Sequence, residues 1–364
     1  MISVDSVDVL VIGSGPAGAQ AARAAAEQGL TALVLERRSA VGVPVRCGEM
    51  MPSVSEIKDM FPAYSGSDEL FSVPDGLVVR KVNSIRLVDP KQKVREFPFT
   101  GYTTDRDRFD RYHMDMAVEA GAELKLGTAF EGYTGRTART SAGEIGFKVL
   151  IGADGPGSAV AKAAGLPANA NPYPAVSAQA KGDFGDAIQM FFGRIAPGAY
   201  GWIMPKNGTA NVGVGFSPAF SHGSLKEYMD RFCEMHGLEL LTPMKGKYVP
   251  SEGPISKTVA DGVLLAGDAA GMVMPVNGGG IPEAMMTGRM AGLAAARNVK
   301  EGKALELYEE EWRSVLWKPL HIAANNKKLA DTFAFRSDRS TALCMSILGT
   351  RRMGKLIRCK HLLP

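Results

Sequence analysis

Three glycines at positions 13, 15 and 18 form a G-x-G-x-x-G set, a spacing suited to holding a diphosphate. The first permits a tight turn, the second lets backbone approach a pyrophosphate, and the third lets a helix pack close to a strand. The apolar run Val9 to Ile12 before them reads as a buried parallel strand, and the Ala-rich stretch from Pro16 and Ala17 onward reads as a helix. The N-terminus of that helix offers unpaired N–H groups and a positive dipole end to an anion. A second apolar strand, Leu33 to Leu35, ends in Glu36, where a carboxylate is expected to accept from adenosine ribose hydroxyls, with Arg37 beside it. Gly-rich turns also serve plain structural ends. Strand, turn, helix, strand and terminal acid in this order predict a dinucleotide site.

Other residues carry chemistry less plainly. Cys47 stands beside Arg46 in the Gly/Pro loop PVRCGE (44–49), and a neighbouring cation lowers a thiol's pKa. A small buried hydrophobe is the bland reading of the same cysteine. Cys233, Cys344 and Cys359 have no such setting and read as structural, and with no C-x-x-C there is neither a zinc knuckle nor a disulfide framework. No metal site is expected. GADG (152–155) could be a tight strand–helix turn, and AGDAAG (266–271) a turn whose Asp268 caps a helix. PVNGGGIPEAMM (275–286) reads as a Gly-rich start to a helix, with Pro282 suited to its first turn.

These residues need a large scaffold, and the 364-residue chain, 45% hydrophobic, is long enough for a substantial core. Its net charge of +4 is too small and dispersed to argue for nucleic acid. Arg351, Arg352, Lys355, Arg358 and Lys360 nevertheless gather without one acid between them, as a headgroup-facing cluster or a solvated tail would. The start of the chain, with Asp5 and Asp8, lacks the basic and apolar regions of a secretory leader, and no apolar run is long enough to span a membrane. The expectation is a cytoplasmic protein, peripheral at the inner face of the cell membrane.

Periodicity divides the chain. Residues 61–100 alternate as antiparallel strands do, 105–119 repeat as a helix, and KVLIGADG and VLLAGDAAG read as further buried strands ending in turns. IQMFF, YGWIM and ANVGVGF read as a second β layer, Ile281 to Val299 as a small-residue helix, and the tail from Leu305 as mostly helical. The expected fold is α/β: a discontinuous Rossmann-like dinucleotide-binding domain (1–60, 101–168 and 255–300), a β-rich substrate domain (61–100 and 169–254) and a C-terminal helical region (301–364).

The order of these motifs, GxGxxG with Glu36, then RDRFD (106–110), GADG and AGDAAG, resembles FAD enzymes of the para-hydroxybenzoate hydroxylase and glutathione reductase class. The resemblance implies FAD as cofactor, Asp268 after Gly267 on a ribityl hydroxyl, and Arg106 near the adenylate or pyrophosphate. It also implies that Asp154 and Gly155 shape the cofactor and second-nucleotide region. PVRCGE together with YGWIMPKNGTANVGVG (200–215) is similar to the geranylgeranyl reductase family, of the archaeal digeranylgeranylglycerophospholipid reductase type, flavoenzymes that saturate isoprenoid chains. The shared pattern is Y-x-W-x-[FM]-P then N-x-G-x-G, matched by Tyr200, Trp202, Pro205, Asn211, Gly213 and Gly215, with Met204 where relatives often carry Phe. Within that resemblance the PVRCGE loop, with Arg46, Cys47 and Gly48, lies at the flavin ring, and Cys47 is a candidate proton donor. Tyr200 and Trp202, on one face of a strand, would sheathe a polyprenyl chain and support developing cation character. Gly278, Gly279 and Gly280 would admit a flat ring, and the helix beginning at Ile281 would stabilise the anionic reduced flavin.

Only one full dinucleotide fingerprint is present and FAD would occupy it, so the electron donor is expected to be transiently bound NAD(P)H or ferredoxin. The substrate is expected to be a polyprenyl lipid. Two other readings share the fold: an FAD-dependent aromatic monooxygenase, and a non-redox prenyl-binding protein. PVRCGE and the Tyr/Trp/Pro segment count against the first, and the intact pyrophosphate loop and Asp268 against the second.

Overall fold

The computed structural model describes residues 6–362, so Asp5 lies outside the described residues. Val9, Leu10 and Val11 are fully buried, as a central parallel strand requires. Strand Ser6–Ile12 pairs in parallel with Ala32–Leu35 on one side and Gly143–Gly152 on the other. Glu123–Lys125 extends the sheet beyond the former, and Val263–Leu265 beyond the latter. The chain order therefore reverses about Ser6–Ile12, and the crevice outside the carboxyl ends of strands at such a switch point is where ligands bind. The loops starting at Gly13, Glu36, Ala153 and Ala266 leave the sheet there side by side, tied by Gly13 N–H to Leu35 O (2.8 Å), Ala153 N–H to Ile12 O (2.9 Å) and Ala266 N–H to Gly152 O (2.9 Å).

Two Ala-rich helices, Pro16–Glu27 and Ile281–Glu301, cover one another beside this sheet. Alanine favours helix at every position, and glycine sets the depth of contact. A Cβ on Gly288 would stand 2.1 Å from Ala17 O, and one on Gly292 2.3 Å from Ala21 O.

The second layer is a nine-stranded sheet. Tyr173–Lys181, Thr209–Gly215, Gly201–Pro205 and Ala187–Phe191 run antiparallel in that order, and Ala187–Phe191 then joins Arg80–Val88 in parallel. One face packs on helix Leu225–His236, held by a Ser224/Glu227 capping box and a left-handed Gly237. The opposite face, with Trp202 and Met204, packs under Met345, Met353 and Ile357 of the last helix, Asp338–Ile357.

The domain boundaries expected from sequence need two corrections. Met50–Pro52 and Gly101–Thr103, both expected in the first domain, belong to the second sheet, where they pair with each other. Phe61, Leu70, Phe71 and Leu77 are buried in the core of the first layer, so residues 61–77 do not join the β-rich layer, and Ser67–Phe71 is helical. Among the described residues no helix is long and apolar enough to cross a membrane, and no cluster of potential metal ligands occurs.

Candidate active site

The glycines of the first turn divide by what surrounds them. Gly13 has φ of +103°, and a Cβ there would stand 2.4 Å from Ala153 O. On Gly18 a Cβ would stand 1.8 Å from Gly13 O, whereas on Gly15 it would meet nothing within 4 Å. Gly13 and Gly18 are required by packing, and Gly15 faces open space. Helix Pro16–Glu27 begins at Gly15 with no side-chain cap, leaving its first N–H groups for an anion. Glu36 is buried, accepting from Ser14 N–H (3.2 Å), the Ser14 hydroxyl (2.8 Å) and Arg38 N–H (2.9 Å). Burial and the charges of Arg38 and Arg37 pull the pKa of Arg46 down. Among the described residues none of these three arginines has an ion-pair partner, which suits a site for a diphosphate.

Asp154 lies beside the first glycine turn, its Cα 3.2 Å from where a Gly13 Cβ would stand, and its side chain is engaged locally. Its carboxylate accepts from the Ser158 hydroxyl (2.6 Å) and the Ala159 (2.7 Å) and Val160 (3.2 Å) N–H groups, so it caps the short helix Ala159–Ala163. Gly155, at φ +90°, and Gly157 leave open space beside it.

At the other end, Asp268 Oδ2 lies 2.6 Å from Lys247 Nζ, and its backbone carbonyl accepts from Asn169 (2.8 Å). Gly267 has φ of +60° and would bring a Cβ within 3.0 Å of Ala17 Cβ. The run Gly278–Gly280 is glycine for reasons other than a flat ring alone. A Cβ would come within 3.3 Å of the Tyr200 hydroxyl at Gly278, 2.8 Å of Met274 Cε at Gly279 and 3.0 Å of Val273 Cγ2 at Gly280. Helix Ile281–Glu301 starts uncapped at Gly280, and Glu283 in its first turn is fully buried, with no hydrogen-bond partner for either side-chain oxygen among the described residues.

The PVRCGE loop joins the two layers. Cys47 Sγ accepts from Glu49 N–H at 3.2 Å. The Arg106 guanidinium faces the same sulfur while Asp110 grips it at 2.9 and 3.0 Å. Burial pulls the Arg106 pKa down, but Asp110 and Cys47 outweigh it and hold the cation. Arg106, expected near the adenylate or pyrophosphate, is thus committed to Asp110 and Cys47. Burial and the nearby Cys47 push the Tyr200 phenol up, and its O–H donates to Asn277 O in the glycine loop. The Tyr200 and Trp202 rings meet edge to face, centroids 6.0 Å apart. Gly213 lets the indole lie against the next strand, since a Cβ there would stand 2.2 Å from Trp202 Cζ2.

Beneath them lies a buried polar network. Trp202 Nε1–H donates to Asn211 Oδ1 (2.8 Å), and Asn211 Nδ2–H donates to Glu49 Oε2 (2.9 Å). Glu49 also accepts from Gln179 (2.5 Å) and from Arg106 N–H (3.0 Å), and pairs with Lys206 at 2.7 Å. Lys206 reaches Asp105 as well, at 2.7 Å. Glu49 holds φ of +63°, a left-handed conformation uncommon for a residue with a side chain, and this web of partners fixes it.

Against known proteins, residues 8–144 match the description "FAD dependent oxidoreductase" and residues 176–245 match "Geranylgeranyl reductase catalytic domain". A digeranylgeranylglycerophospholipid reductase of Methanosphaera stadtmanae is 33% identical, over 98% of this chain and 94% of its own. One from Methanoculleus marisnigri is 35% identical, over 92% and 88%. The chain belongs to the geranylgeranyl reductase family. A solved geranylgeranyl bacteriochlorophyll reductase-like protein of Thermoplasma acidophilum superimposes with a TM-score of 0.81 at 27% identity, covering 89% of this chain and 87% of that one.

This geranylgeranyl reductase family member is therefore an FAD-dependent oxidoreductase with the expected α/β architecture. FAD fits the residues present: Gly15 is open at its Cβ, the helices at Gly15 and Gly280 start uncapped, and Gly267 and Asp268 stand against Ala17 and Gly280 of those two helix starts. Reading the sequence singled out Cys47, Tyr200 and Trp202, which the fold brings together, but overlooked Lys206, Gln179, Lys247 and Asn277 as partners of that site. Glu49, Asn211, Lys206 and Asn277 lay inside quoted motifs, whereas Gln179 and Lys247 carried no sequence signal.

Proposed function

We propose that this geranylgeranyl reductase family member saturates C=C bonds in the geranylgeranyl chains of glycerophospholipids or their precursors. An isolated trisubstituted alkene is not polarised toward hydride, so a proton and a hydride must reach its two carbons, with carbocation character between them. FAD, bound and reduced, supplies the hydride. The proton comes from the Cys47 thiol: its S–H bond breaks as the new C–H bond forms, and Arg106 faces the thiolate left behind until solvent reprotonates it. Tyr200 and Trp202 present electron-rich faces to the developing positive charge and exclude water. Cys47, set between Arg106 and Tyr200 on a loop that Glu49 clamps to the Trp202–Asn211 strand pair, carries this reading.

Electrons reach FAD from NAD(P)H that binds transiently, the sequence having one full dinucleotide fingerprint, or from ferredoxin. The lipid is collected by peripheral docking at the inner face of the membrane. The test is incubation of the enzyme, a donor and a digeranylgeranyl glycerophospholipid without oxygen. The expected product gains about 2 mass units per bond, one hydride plus one proton. Donor consumption only with oxygen and a phenol, leaving the lipid unsaturated, would instead establish a monooxygenase.

A further inference from the structure

The end of the chain folds into a hairpin whose two sides differ sharply. Lys318–Leu329 continues through Ala330–Ala334, turns and returns as Asp338–Ile357, which is kinked at Gly349 (φ +61°), with the Ser340 (2.8 Å) and Thr341 (2.9 Å) hydroxyls donating to Ala334 O across the turn. Its inner side buries Met345, Met353 and Ile357 over the sheet face that carries Trp202. Its outer side exposes Leu329 (52%), Phe333 (62%), Leu343 (60%) and Ile347 (65%). Each helix contributes an i,i+4 pair, which places the two side chains of each pair on one face. Single exposed apolar residues are ordinary on a soluble surface; two such pairs on adjoining helices form a patch.

Charge says what covers it. Lys328, Arg336, Arg339, Arg351 and Arg352 are exposed on the same hairpin. Its two acids are already engaged, Asp331 with Lys327 at 2.5 Å and Asp338 with Arg194 at 2.6 Å. Arg358 and Lys360, counted from sequence with the cationic cluster, are withdrawn from it, paired at 2.6 Å with Glu56 and at 2.5 Å with Asp59. What remains is an apolar face on a hairpin whose exposed cations have no ion-pair partner among the described residues.

We propose that the outer side of this hairpin docks on an anionic lipid bilayer, with the four apolar side chains entering the boundary between headgroups and acyl chains and the arginines meeting phosphates. The surface rests on exposure and charge, and the lipid-substrate reading supplies only its purpose: the segment that carries Leu343 and Ile347 also buries Met345 over the Trp202 face.

The test is cosedimentation of the full chain with vesicles of phosphatidylglycerol or of phosphatidylcholine. Wild type is expected to bind the anionic vesicles at least tenfold more tightly, and added salt to weaken binding. A Leu343→Ser/Ile347→Ser variant is expected to lose at least tenfold in affinity, and Arg339→Gln/Arg351→Gln to lose the preference for anionic lipid. Both should keep the wild-type melting temperature and saturate detergent-dispersed lipid at the wild-type rate. Failure of wild type to bind vesicles, or binding unchanged in both variants, overturns the proposal. So does a wild-type dimer that Leu343→Ser/Ile347→Ser converts to monomer, because a second copy would then cover the face. Vesicle binding lost in the variants while no protein saturates lipid would refute the reductase reading and leave the surface standing.

Discussion

At the first turn of the helix that follows the glycine loop, Glu283 sits fully buried, and burial together with the nearby Asp268 carboxylate pushes its pKa up to about 8. In the unfolded chain the same group titrates near about 4.3. Between those values the folded protein binds the extra proton, so the stability this group contributes is full below the lower value and is lost as pH rises through the upper one. Glu283→Gln should match wild type near pH 4 and be more stable by a few kcal/mol at pH 8, because each tenfold difference in proton affinity between folded and unfolded chain is worth roughly 1.4 kcal/mol. Melting temperatures from pH 4 to 9 check this, and parallel curves would contradict it. Glu49 makes the opposite prediction. Glu49→Leu leaves Lys206, 5% exposed, with only Asp105, and breaking such a buried pair costs about 3–5 kcal/mol in denaturant unfolding. At this scale the sequence cue for Cys47 was its neighbour Arg46, whereas the folded chain turns Arg106 toward the sulfur and leaves Arg46 among Arg37 and Arg38. The hub at Glu49 was not, because Asp105, Gln179, Lys206 and Asn211 come from segments that only the folded chain brings together.

Among the elements, the first turn separates packing from binding. Gly15 has φ of −73°, which any L residue adopts, and open space at its Cβ. Gly15→Ala should leave the melting temperature of the FAD-free protein within about 2 °C, a change of under about 0.5 kcal/mol, while weakening FAD binding at least tenfold by equilibrium dialysis. Gly18→Ala places a methyl 1.8 Å from Gly13 O and should lower the melting temperature of the FAD-free protein as well. Equal losses of stability in the two variants would mean that Gly15 is also a packing glycine. Helices Pro16–Glu27 and Ile281–Glu301 and the parallel strands were readable from composition and apolar runs. Strand Met50–Pro52 was not: it is three residues long, contains proline and exists through pairing with Gly101–Thr103, half a hundred positions away in sequence. The three glycines 278–280 were seen, but their reason lay in Tyr200, Met274 and Val273, which sequence does not place beside them.

Over the whole molecule, the PVRCGE loop, the Tyr200–Asn277 hydrogen bond and the Lys247–Asp268 pair join the switch-point side to the second sheet, and Asp338–Ile357, kinked at Gly349, packs over its Trp202 face. FAD binding to the folded state alone should therefore stabilise the protein, by about 2.7 kcal/mol at a hundredfold excess over Kd. Calorimetry with and without FAD checks this, and an unchanged melting temperature would place the cofactor outside the core of the fold. The doubly layered architecture was legible because motif order constrains topology. The roofing helix was not, since its buried methionines show only against the sheet they cover. The most direct measurement is an anaerobic titration of dithionite-reduced enzyme with a digeranylgeranyl glycerophospholipid, following flavin absorbance and lipid mass together. A geranylgeranyl-saturating enzyme should reoxidise one flavin for each double bond lost, and its Cys47→Ser variant should bind and reduce FAD normally but reoxidise at least tenfold more slowly. Reduced flavin that persists with the lipid and reoxidises only when oxygen enters would contradict it.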